Sequence, residues 1–142
     1  MNTRKIGYFA ATSLVALAFL TGGAFDLSGA PAAVAGLAHL GYPAYLAPML
    51  GIWKLLGAVA VLVPKFPRLK EWAYAGMFFD LTGAAVSHGV VGDPAGNVLI
   101  PLVLLGLVAA SWALRPESRR LPSNDEETAA LRLGRSAATA SA

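Results

Sequence analysis

Lys54 and Asp80 are the residues most able to do chemistry, because each lies inside a long apolar run. Lys54 falls in Leu50-Gly-Ile-Trp-Lys-Leu-Leu-Gly57 and Asp80 in Phe78-Phe-Asp-Leu-Thr82. A charge in such a setting needs an answering group, and an acid–base couple there can hold an ion pair, pass a proton or orient a polar head group. His88 follows Asp80, and a histidine is the residue type suited to exchanging a proton near neutral pH. A second set, Asp26, His39, Tyr42, Tyr45 and Asp93, is polar and brackets the same apolar runs. Ordinary roles compete with these: a matched pair can be structural glue, and tyrosine and histidine are common at membrane boundaries.

Other chemistries are absent from the sequence. There is no nucleophile–base–orienter set, no glycine-rich phosphate loop and no metal-ligand spacing. The chain has no cysteine, which excludes disulfides, thiolate zinc sites, iron–sulfur clusters and thioether-linked haem. A bis-histidine haem needs both ligands at one depth on facing helices. His39 and His88 are the only histidines, and His39 falls in a connecting segment.

The elements that must position these groups are membrane spans. Of 142 residues, 56% are hydrophobic and 13% charged, with mean hydropathy +0.60, where a soluble domain carries about a quarter charged residues. The net charge of +3 carries no nucleic-acid signature, since no basic residues interleave with aromatics on one face. The spacing predicts an all-α integral membrane four-helix bundle, residues 1–114, with spans near 6–25, 46–63, 69–88 and 97–114. The first run could serve as a secretory signal, but three further spans favour an uncleaved helix.

Between the first two spans, Pro31-Ala-Ala-Val-Ala-Gly-Leu-Ala-His39 predicts a short interfacial helix, with Pro31 in its first turn and Gly41 as its stop. It is long enough to act as a lid. Residues 115–142 read as a mostly disordered tail, with capping-box spacing at Ser123-Asn-Asp-Glu126 that offers a short helix over 124–133.

Basic residues set the orientation. Arg4 and Lys5, then Lys65, Arg68 and Lys70, then Arg115, Arg119 and Arg120 all fall on one side, and residues 26–45 and 89–96 carry no Lys or Arg. Both termini are then cytoplasmic. On consecutive antiparallel spans, Lys54 and Asp80 each lie ~14 Å from the cytoplasmic edge. Each sits on a stripe of small residues, Ala47, Gly51 and Ala58 in one span and Ala73, Gly76, Gly83 and Ala84 in the other, the kind of surface that lets membrane helices approach. The expectation is a Lys54–Asp80 pair, with spans two and three inserting as a hairpin. Above it, Asp26, His39, Tyr42, Tyr45, His88 and Asp93 would form an outer polar mouth.

Four segments carry a family resemblance: His39-Leu-Gly-Tyr-Pro-Ala-Tyr45, Leu50-Gly-Ile-Trp-Lys-Leu-Leu-Gly57, Pro67-Arg-Leu-Lys-Glu-Trp-Ala-Tyr-Ala-Gly76 and Phe79-Asp-Leu-Thr-Gly-Ala-Ala-Val-Ser-His88. Over about residues 39–93 the chain resembles the DoxX-like family of small bacterial membrane proteins. The resemblance implies a four-helix membrane bundle in the inner membrane and an association with membrane redox, quinone or oxidative-stress chemistry. Lacking cysteine, this chain would not itself carry thiol or sulfane-sulfur chemistry.

Three functions stay open on these grounds. One is a redox-accessory protein that holds a quinone-like ligand or docks a membrane redox enzyme around Lys54, Asp80 and His88. Another is a small proton-coupled permease, and the third a ligand-free scaffold. The partners expected are the lipid bilayer, a redox enzyme and further copies of the chain, with no nucleic acid and no metal.

Overall fold

The structure is a computed structural model that describes residues 2–122 together with 128–129, 131–133 and 135–136. Among these the only regular elements are helices: α1 (Thr3–Leu27), α2 (Pro31–His39), α3 (Leu46–Leu62), α4 (Pro67–Val90), α5 (Ala95–Leu114) and a 3₁₀ turn, Glu117–Arg119. The capping-box residues 123–126 lie outside the described residues, as do 127, 130, 134 and 137–142 of the proposed tail. Its described start packs back on the helices, where Arg119 donates to the Tyr8 hydroxyl at 2.9 Å, and Thr128, Ala129 and residues 131–133 are helical.

The helix limits follow local chemistry. Proline opens α2 and α4, where its missing N–H is no loss. Gly41 after α2 and Gly92 after α4 take φ of 85° and 77°, the left-handed conformation that ends helices. Helix α1 runs past Gly22-Gly23 to Leu27, so Asp26 is helical, a correction to its expected place in a loop. The turn after α3 is tight, with both Lys65 and Phe66 in the left-handed region at φ 70° and 53°, a strained conformation for residues with a side chain.

Helix α1 packs against α3 and α5, and α4 packs against α5. The α3–α4 contact is thinner, so the expected hairpin is the loosest of these four seams among the long helices. The small-residue stripe of α3 faces α1. A Cβ on Gly51 would lie 2.5 Å from the Leu27 backbone nitrogen and 2.8 Å from the Gly23 oxygen, so only glycine fits this crossing. Gly76 and Gly83 of α4 face open space, with nothing within 4 Å of where a Cβ would stand.

The core is one cluster, Val15, Phe19, Ala58, Val61, Tyr74, Met77, Leu81 and Val108. Large apolar side chains also cover the outside: Trp72 is 79% exposed, Phe79 70% and Val103 64%. An outer surface this apolar fits lipid rather than water. Two helices, α1 and α5, are long and apolar enough to cross a membrane, and α3 is an apolar helix of 17 residues.

Candidate functional site

The Gly23–Gly51 crossing builds the site. Asp26 lies one turn beyond Gly23, and Lys54 one turn beyond Gly51, so the close approach brings their side chains together. The Lys54 ammonium donates to Asp26 Oδ2 at 2.8 Å. Asp80 Oδ2 lies 3.9 Å from the same nitrogen, within ion-pair range and beyond a hydrogen bond. The nearest partner of Lys54 is thus the aspartate of α1, and Asp80 is the second. Two carboxylates share one ammonium.

Above this triad is a cavity of about 560 Å³. Phe25 and Asp26 of α1, Leu50 and Lys54 of α3, and Asp80, Ser87 and His88 of α4 line it, and Ala33, Gly36 and Leu37 of α2 roof it. A second cavity, about 730 Å³, lies between α3 and α4 and is lined by Trp53, Leu56, Trp72, Gly76 and Met77. Phe19, Leu50, Lys54, Phe79 and Asp80 belong to both linings, so the charged residues stand in the partition between the two spaces.

Two side-chain links hold the α2 segment across the opening, His39 to Asp93 and Tyr42 to Ser87. His39 Nε2 meets Asp93 Oδ1 at 2.7 Å, and His88 Nδ1 meets Asp93 Oδ2 at 2.6 Å. Hydrogen bonds from His88 and then His39 hold the Asp93 carboxyl below the usual carboxylate range. The Tyr42 hydroxyl lies 2.8 Å from Ser87 Oγ, which itself donates to the Gly83 carbonyl at 2.7 Å. Tyr42 lines the roofed cavity and Trp53 the other, whereas Tyr45 is 69% exposed and lines neither. Among the described residues, no group of three or more His, Cys, Asp or Glu could hold a metal ion.

The opposite end holds a network that the sequence reading did not anticipate. Lys70, 1% exposed, donates to the carbonyls of Ala60 at 2.8 Å and Val61 at 2.9 Å and to that of Val63. The local signal is Pro64: it has no N–H to give the Ala60 carbonyl, so a side chain supplies the donor. Nearby, Ser111 Oγ lies 2.7 Å from both Thr12 Oγ1 and the Tyr74 hydroxyl. Arg115 pairs with Glu71 at 2.7 Å and stacks over Tyr74 and Trp112.

No curated protein and no solved structure matches the chain. The DoxX-like family does, over residues 10–111. That stretch holds Lys54, Asp80 and His88 as well as the polar residues around α2, and it takes in α5 to within a turn of its end. With most of its length matched, the chain belongs to the DoxX-like family and is a small membrane protein.

Proposed function

We propose that this chain crosses the bacterial inner membrane four times as a four-helix bundle with both termini cytoplasmic. In this reading it holds a small amphiphile with a quinone-like ring beneath α2. The observation that carries the reading is the roofed cavity, about 560 Å³ with largely apolar walls and Lys54, Asp26 and Asp80 at its floor. A mostly apolar enclosure of this size with a few convergent polar groups is the usual form of a small-molecule site. The resemblance to the DoxX-like family implies the link to membrane redox chemistry. The role proposed is accessory: to hold a lipid-soluble redox molecule or present it to a partner enzyme. Lys65, Arg68 and Lys70, with Arg115, Arg119 and Arg120, lie at the end opposite α2 and support the orientation.

Native mass spectrometry of the full chain from mild detergent tests the reading, with a ring-bearing lipid expected to be retained. Lys54→Met or His88→Ala should lose it at normal protein levels. A protein that carries only phospholipid and binds no added quinone or quinol would overturn the proposal. A proton-coupled permease is the second reading, favoured by the position of Lys54 and Asp80 between two cavities. It requires uptake into vesicles driven by a pH gradient.

A further inference from the structure

The polar groups around the roofed cavity differ in what they leave free. Ser87 donates its proton to the Gly83 carbonyl, so the Tyr42 hydroxyl is the donor in their contact and both protons are used within the protein. An ionised Asp93 accepts only, so His88 Nδ1 carries the proton of their 2.6 Å bond. In neutral His88, Nε2 is then an acceptor. Lys54 spends its short bond on Asp26. Asp80 accepts no hydrogen bond from any described residue, although its side chain is only 21% exposed and lines both cavities. Its answering group is the Lys54 ammonium at 3.9 Å, a charge partner that leaves the carboxyl still short of a hydrogen-bond donor.

The gap between Lys54 Nζ and Asp80 Oδ2, 3.9 Å, is too long for one hydrogen bond and short enough for a single bridging oxygen. That oxygen must accept from the ammonium and donate to the carboxyl. A hydroxyl does both; a carbonyl can only accept, leaving Asp80 facing a lone pair. We propose that the roofed cavity selects an aromatic hydroxyl, of the phenol or quinol class, whose oxygen bridges Lys54 and Asp80. The inference rests on the proposed ring-binding role and names the form of the ring that the site prefers. Lys54 and Asp80 bind and orient the head group, and no electron or proton transfer is part of the step.

Binding to the full chain in nanodiscs tests this with 2-decyl-1,4-hydroquinone and its dimethyl ether, which shares ring and tail but cannot donate and is redox-inert. Because a hydrogen bond to a charged group is involved, the hydroquinone should bind about tenfold tighter or more. In Asp80→Asn that ratio should shrink towards unity while the affinity of the ether stays as in the wild type. Equal binding of the two probes to the wild type would overturn the hydroxyl preference and leave the ring-binding role standing. Tighter binding of 2-decyl-1,4-benzoquinone than of the hydroquinone would also overturn it, since the carboxyl would then be donating. If none of the probes binds, the ring-binding role fails and the preference with it.

Discussion

The two ends of the helix assembly handle buried polar groups in opposite ways. At the Lys70 end the ammonium has three carbonyl acceptors, and Ser111 joins Thr12 to Tyr74, so that among the described residues only Arg115 Nη1 is buried without a partner there. At the α2 end, Lys54 reaches one carboxylate closely and another at arm's length, and a cavity adjoins both. Satisfied buried networks fix structure. Polar groups left facing a cavity are available to something else. The contrast assigns stability to one end and binding to the other, and substitutions at each should separate in what they change.

The largest effect should come from Lys70→Met. It removes a donor from three carbonyls at the end of α3, of which that of Val61 keeps Arg119 at 3.4 Å, and each buried acceptor left unpaired costs ~1–3 kcal/mol. A loss of about 3 kcal/mol or more is expected in thermal unfolding from mild detergent, with ligand affinity unchanged in whatever protein remains folded. A mild effect would mean that water serves those carbonyls and that the Lys70 end is not the rigid one.

Next in size is the glycine contrast. Gly51→Ala forces a methyl group against the backbone of α1, which overpacks the crossing at a cost of ~1–3 kcal/mol. It should also disturb the site, because the same crossing brings Asp26 to Lys54. Gly76→Ala and Gly83→Ala meet nothing within 4 Å and should be neutral or stabilise by up to ~1 kcal/mol, as expected of alanine in a helix. Equal losses at Gly51 and Gly76 would place the tight seam between α3 and α4 instead.

A smaller effect distinguishes the two aspartates. In double-mutant cycles with Lys54→Met, Asp26→Asn should show a coupling of ~1–2 kcal/mol, typical of a hydrogen bond to a charged group. Asp80→Asn should show less, as its carboxylate stands 3.9 Å away. The reverse order would make Asp80 the structural partner and remove the reason to give it to a ligand.

What could be read from the sequence divides along the same line. Lys54 and Asp80 stood out because a charge in an apolar run is conspicuous, and Pro31 and Gly41 marked α2 because their backbone restrictions are local. Asp26 falls just past the expected end of the first span, near residue 25, because Gly23 serves a helix crossing that exists only once α3 is packed. Lys70 and Arg115 were read as charges that orient the chain. Both fold inward, at 1% and 3% exposure: Lys70 serves the carbonyls at the end of α3, and Arg115 serves the Trp112 carbonyl and Glu71 while stacking on Tyr74. Such demands belong to pairs of helices and leave little trace in any single segment. The facing of the α3 stripe was hidden for the same reason, since small residues announce a close contact without naming the partner helix.

The smallest expected effect concerns the tie between α2 and the α4–α5 loop. Asp93 accepts from His88 and His39, and those bonds hold its carboxyl below the ordinary range. A carboxylate lowered in the folded protein contributes stability that is fully present above its unfolded value, about 3.9, and is lost as pH falls through the folded value. Amide exchange in α2 should therefore stay slow from neutral pH down to about 4 and rise below it, after correction for intrinsic rates. Asp93→Asn should raise exchange in α2 at neutral pH and flatten this dependence, leaving the Lys70 end unchanged. If Asp93→Asn leaves exchange in α2 as it is in the wild type, the Asp93 carboxylate does not hold α2 over the cavity.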